Sequence, residues 1–267
     1  MQFAPIVPIN YYPASLSNLH MILSHELVVD KEYRDYYINL DTNNTIILDN
    51  GTVETGDPQP ELLLDTSKYV SGAIHKLIVV APDYLGDNAR TVKATRDFFG
   101  MYSKKPDFDI MIVPQGKDWR DWLNCLEQLK DLDFEYIGLP RITEEFPGGR
   151  QWIFSRARQM IRHKKYHLLG IQQSIWEVEW AFPYSSILGV DSSLPLRAVA
   201  NGLDVLEVDD LRSLDSSTDI FKDIWLDDVR KASKTCSRFV DGRWKGEFTA
   251  SKQGREMTAK EFLKLEE

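Results

Sequence analysis

Short aliphatic runs alternate with longer amphipathic stretches along this chain. Runs such as Leu77-Ile78-Val79-Val80 and Ile110-Met111-Ile112-Val113 have strand length and end in polar or glycine-containing segments. The pattern predicts strands at 45–48, 77–81, 109–113, 136–139, 166–171, 187–190 and 203–208, with one more near 6–9. Apolar residues spaced three and four apart predict helices at 17–27, 88–99, 119–130, 150–162 and 175–182, with Asp118 and Ser174 as N-caps. Strands that are apolar throughout belong to a sheet covered on both faces. So many βα units favour closure into a (β/α)8 TIM barrel over an open doubly wound sheet.

Length agrees with that reading, because 267 residues is close to the roughly 250 that one such barrel needs. The barrel is expected to occupy 1–215. Past Asp215 the pattern changes to helical stretches at 219–230 and 257–265 around a turn at 239–244, so 216–267 reads as closing helices and a short C-terminal extension of the same domain. No apolar run approaches the roughly 18 residues of a membrane helix, and no basic, apolar leader opens the chain. Cys125 and Cys236 do not make a disulfide framework, which points to a reducing cytoplasm.

In a barrel, chemistry gathers at the C-terminal ends of the strands. The residues there are Asp49, Asp83, Gln115, Gly138 and Asp191. Two carboxylates can divide the roles of nucleophile and proton shuttle at a glycosyl bond. A third carboxylate with an amide suits the edge of a purine. Each aspartate taken alone also fits a helix cap after a strand. Against this chemistry stand motifs that lead nowhere. His163 and His167 have metal-ligand spacing, but the segment passes from helix into strand; no phosphate-binding glycine loop occurs; Cys125 lies on an amphipathic helix as a core residue; and Trp119, Trp122, Trp152, Trp176 and Trp180 read as packing.

The strand-end residues resemble those of the tRNA-guanine transglycosylase superfamily, which exchanges guanine for a 7-deazaguanine base. The resemblance rests on Leu48-Asp49-Asn50-Gly51, Ala81-Pro82-Asp83, Val113-Pro114-Gln115-Gly116, Ile137-Gly138-Leu139, Leu168-Leu169-Gly170-Ile171, the stretch from Gly189 to Arg197, and Asn201-Gly202, in family order. It implies Asp191 as nucleophile and Asp49 as general acid/base. The base pocket it implies consists of Asp83, Gln115, Gly116, Gly138 and Leu139, lined by Leu169. It implies no cofactor. The three-cysteine, one-histidine zinc module of the tRNA enzymes is missing on ligand count, and Asn50-Gly51-Thr52 replaces their usual Ser-Gly-Gly/Ala.

A short, zinc-free chain of this kind is most similar to the phage DpdA-like 7-deazaguanine DNA transglycosylases. The expected partners are therefore DNA and a free 7-deazaguanine such as preQ0, in the cytoplasm of a bacterial host if the chain is phage-encoded, with the target base flipped or single-stranded. A net charge of −9 opposes indiscriminate DNA binding. Basic runs offset it locally: Arg150, Arg156, Arg158, Arg162, Lys164 and Lys165, and a second from Arg230 to Arg255. Arg197 is the basic residue expected nearest the reacting sugar. Tyr11, Tyr12 and Phe146 are candidates for stacking or wedging. Three alternatives stay open: a tRNA-directed enzyme without zinc, a non-catalytic barrel that binds nucleic acid or a catalytic partner, and an ordinary glycosidase. Oligomeric state is not legible.

Overall fold

The computed structural model describes residues 1–7, 11, 17–41, 43–102, 106–215, 217 and 224–241. Eight strands lie parallel in one sheet: β1 (Gln2–Pro5), β2 (Leu19–Leu23), β3 (Thr45–Asp49), β4 (Lys76–Val80), β5 (Asp109–Ile112), β6 (Tyr136–Pro140), β7 (Lys165–Leu169) and β8 (Ile187–Ser192). Their order is β1-β8-β7-β6-β5-β4-β3-β2. β1 and β2 stand side by side at the seam, where the Ser17 hydroxyl donates to the Phe3 carbonyl. The sheet is thus a nearly closed (β/α)8 barrel.

Alternation along each strand sorts the core into two layers. Ala4, Leu19, Ile47, Ile78, Val80, Met111, Val113 and Tyr136 fill the barrel interior. Their neighbours, among them Phe3, Ile22, Leu48, Val79, Ile112 and Leu139, point outward to the helices. The helices are α1 (Ser24–Val29), α2 (Lys31–Ile38), α3 (Thr52–Thr55), α4 (Pro60–Ser71), α5 (Asn88–Gly100), α6 (Trp119–Leu129), α7 (Gly149–Met160), α8 (Leu194–Ala200) and α9 (Leu226–Val240). α6 starts where expected, since the Asp118 carboxylate accepts the Asp121 N–H at 2.9 Å. Trp122 and Trp152 are fully buried and pack these helices; truncating either residue to alanine should cost about 3–5 kcal/mol. α9 lies against α8 and β1, with Phe239 stacked edge-on to Trp176.

Several predicted elements move. Residues 17–27 form β2 followed by α1 and not one helix, because a strand buried on both faces lacks alternation, and Leu19, Met21, Ile22 and Leu23 mimic helical spacing. The first strand is Gln2–Pro5 and not 6–9. Residues 203–208 make turns instead of a strand. Ile175–Ala181 is a 3-10 helix whose N-cap Ser174 makes no side-chain cap bond. The expected helix at 219–230 begins at Leu226 among the described residues. The expected helix at 257–265 and most of the turn at 239–244 lie outside them. Among the described residues no helix is long and apolar enough to cross a membrane.

Candidate active site

Asp49 is the last residue of β3, and Asp191 is the next-to-last residue of β8. Both have interior parity and face one cavity of about 690 Å³ at the C-terminal mouth of the barrel, lined also by Asp83, Gln115, Leu169 and Arg197. That volume falls in the range of roughly 300–1,000 Å³ typical of small-ligand sites.

Asp191 is 3% exposed. Its Oδ2 accepts the Gly170 N–H at 3.0 Å, and its Oδ1 lies 2.9 Å from His167 Nε2. Gly170 has a left-handed backbone with φ of 68°, which turns the chain after β7 so that its amide meets the carboxylate. Asp49 is built the same way. Gly51, with φ of 74°, folds back to donate its N–H to Asp49 Oδ2 at 3.0 Å. Lost hydration outweighs that bond, and the nearby charges of Asp83, Glu54 and Asp191 add to it, so the Asp49 carboxyl is pushed up to about 7.

Asp83 is buried and fixed from two sides. Asn50 Nδ2 donates to its Oδ1 at 2.7 Å and Gln115 Nε2 to its Oδ2 at 2.6 Å. Gln115 Oε1 in turn accepts the Gly86 N–H at 3.2 Å, and Thr52 Oγ1 donates to the Asp83 carbonyl at 3.1 Å. Burial pushes Asp83 up to about 6 against the pull of both amides. The network forms a polar edge of alternating acceptors and donors on one wall of the cavity.

On the rim, Val53 and Leu85 are more than half exposed, and Arg141 and Arg212 also line the cavity, with the Arg212 guanidinium paired to Asp210. The turn after β7 is pinned by Glu177, whose Oε2 accepts the Gln172 and Gln173 N–H groups at 3.1 and 2.9 Å, and Gln172 Nε2 donates to Glu145 at 2.6 Å. Behind it Arg150 pairs with Glu177 at 3.8 Å with both side chains buried.

Of the expected residues, Asp49, Asp83, Gln115, Leu169, Asp191 and Arg197 line one cavity. Gly116, Gly138 and Leu139 do not. Gly116 lets α6 approach, since a Cβ there would sit 2.4 Å from the Trp122 backbone nitrogen. Gly138 lies inside the barrel, where a Cβ would meet Leu169 at 2.6 Å and Val113 at 2.9 Å, so it keeps space below the site. The Leu139 side chain belongs to the outer core. Arg197 Nη2 donates to the Leu214 carbonyl at 2.6 Å.

The basic run expected to meet phosphate does not face the mouth. Arg150 is a buried structural cation, and α7 carries the others away toward the start of β7. There Arg156 lies over Trp152, Arg158 over Phe154 and Tyr184, Lys164 over Phe134 and Lys165 over Tyr136. In the second run, Arg230, Lys231, Lys234 and Arg238 ride on α9, and the basic residues from Arg243 to Arg255 lie outside the described residues. Phe146 is core, Tyr11 packs near Leu196 and Val229, and Tyr12 lies outside the described residues. Cys125 is core as expected; burial pushes its thiol up to about 12, and its Sγ accepts the Gln115 N–H at 3.5 Å. Among the described residues no three His, Cys, Asp or Glu side chains gather in a metal-binding group.

Sequence reasoning missed Asn50 as a partner of Asp83, Arg141 and Arg212 on the rim, and above all His167. Strand parity was the available signal: residues 167 and 169 share a face of β7, and that face looks at Asp191. Compared with known proteins, the chain matches no family model, and no curated protein matches it.

Proposed function

We propose that the protein is a pentosyltransferase that exchanges guanine in DNA for a 7-deazaguanine base through a covalent aspartyl-glycosyl intermediate. One observation carries the reading: a carboxyl pushed up to about 7 at Asp49 and a two-donor carboxylate at Asp191 open into one cavity beside the Asp83–Asn50–Gln115 edge. A group titrating near neutrality can both give and take a proton at pH 7. In this mechanism Asp191 attacks C1′ of the flipped nucleotide, the C1′–N9 bond breaks, and Asp49 protonates the departing base. The incoming base then gives its proton to Asp49 and attacks C1′ from the side the guanine left. Two inversions retain configuration, and the phosphodiester backbone is not cut.

The role of the polar edge is purine recognition, with Asp83 accepting from ring and exocyclic N–H groups and Gln115 meeting the carbonyl. Val53 and Leu85 give the extruded base apolar contact at the rim. The resemblance to DNA-directed relatives supports DNA as the polymer.

The test offers purified protein labelled guanine or 7-cyano-7-deazaguanine with DNA and with unmodified tRNA, followed by nucleoside mass spectrometry. Label in DNA is the expected outcome. Label in tRNA alone transfers the same chemistry to the other polymer, and label in neither rejects base exchange. Asp191→Ala should abolish covalent trapping on DNA, whereas Asp83→Ala should raise KM for the base; equal trapping by the Asp191 variant rejects that residue as nucleophile.

A further inference from the structure

We propose that His167 is a positioning residue for Asp191, an imidazole whose Nε2–H holds one carboxylate oxygen from beneath and makes Asp191 the better leaving group in the second half of the exchange. The proposal rests on the reading of Asp191 as nucleophile. His167 is one interior position below Leu169 on β7, opposite Gly189 of β8, and is wholly buried. It does not line the cavity, so it reaches substrate only through Asp191.

The hydrogen on Nε2 follows from its partner. Nε2 is 2.9 Å from Asp191 Oδ1, a carboxylate oxygen that only accepts, so Nε2 carries the hydrogen. Nδ1 is buried with no hydrogen-bond partner. The ring therefore donates to Asp191 through Nε2–H.

That bond fixes which oxygen reacts. Oδ1 points down to His167, and Oδ2 lies beside Gly170, which lines the cavity. In the first half, an Oδ2 lone pair forms the bond to C1′, the C1′–N9 pair leaves with the base, and the base takes a proton from Asp49. Oδ1 becomes the ester carbonyl and keeps the Nε2–H bond. In the second half, the incoming base loses its N9 proton to Asp49, N9 bonds to C1′, and the C1′–Oδ2 pair returns to Asp191. A hydrogen bond to an anion is roughly twice as strong as one to a neutral acceptor. His167 thus favours the free carboxylate over the ester, and its contribution appears in release of the sugar more than in its capture.

The test uses wild-type protein, His167→Leu, which removes the donor, and His167→Gln, whose amide nitrogen reaches the place of Nε2. Long-range ¹H–¹⁵N spectra of the unliganded wild type should show the ring proton on Nε2. Single-turnover rates with a guanine-containing single-stranded oligonucleotide should show release of the glycosyl-enzyme slowed about tenfold or more in His167→Leu, with formation less affected and most of the loss recovered in His167→Gln. A ring with no proton on Nε2, a Leu variant with unaltered release, or equal losses in both halves with no recovery by Gln overturns the role of His167. A wild-type protein that forms no glycosyl-enzyme overturns instead the reading of Asp191 on which the role depends.

Discussion

Asp49 and Asp191 are one residue type at equivalent ends of two strands, and their neighbours divide the work between them. Asp191 accepts from a backbone amide and an imidazole. Asp49 accepts from Gly51 and sits among the charges of Asp83, Glu54 and Asp191. A carboxyl raised from 3.8 to about 7 holds its proton longer in the folded state than in the unfolded chain. Its stabilising contribution is complete below the unfolded value and is lost as pH rises through 7. Asp49→Asn should therefore stabilise the protein at pH 8 relative to wild type, by roughly 1–4 kcal/mol after allowance for its partial exposure to the cavity, with little difference at pH 4. Urea unfolding at both pH values checks this, and parallel pH dependences in the two proteins would contradict it. The same carboxyl should set the alkaline limb of kcat/KM near pH 7. The aspartates and Gln115 were legible at this scale because they follow apolar runs directly. His167 was not, because in isolation it looked like half of a failed metal pair, and only its strand parity relates it to Asp191.

At the scale of elements, the turn that follows β7 shows how a basic residue can mislead. Arg150 stands in a run of cations, yet it is 1% exposed and faces an equally buried Glu177, whose carboxyl is raised first by burial and lowered by Arg150. Glu177 in turn holds the two amides that shape the cavity wall. Arg150→Ala leaves a buried carboxylate unpaired and should destabilise the fold by about 3–5 kcal/mol, while Arg156→Ala, half-buried over Trp152 on the same helix, should change stability by about 1 kcal/mol or less. Comparable losses in thermal denaturation would refute the assignment. Composition does not separate these two arginines; the side of the helix that meets the strands does. The same limit explains β2. Leu19–Leu23 carries apolar residues on both faces, so periodicity has no polar face from which to recognise a strand, whereas β4 to β6 were found from their β-branched and aliphatic density.

For the whole molecule, the sum of charges says little about the mouth. A net −9 coexists with Arg141, Arg197 and Arg212 around the cavity, and much of the conspicuous basic run lies toward the opposite pole on aromatic rings. Binding of a single-stranded oligonucleotide should weaken with salt, and Arg141→Ala should lower the logarithmic slope by about one, with Arg162→Ala leaving it unchanged. Fluorescence anisotropy across a salt series decides it; an equal effect of Arg162 would locate the polymer elsewhere. Barrel class was readable from the number of βα units even though two of the strands counted were misplaced, because the count tolerates exchange of one weak candidate for another. Placement of charge was not readable, since it depends on which end of each helix meets the mouth.

The seam carries a consequence in time. β1 pairs in register with β8, with Ala4 opposite Asp191, although six strands lie between them in sequence. That is the most non-local pairing in the barrel, and contacts of such sequence separation form late because the intervening chain must be ordered first. A chain in which β1 has not docked therefore leaves β8 flanked by β7 alone. Such a partly folded chain carries Asp49, Asp83 and Asp191 without the strand that sets Asp191 in place.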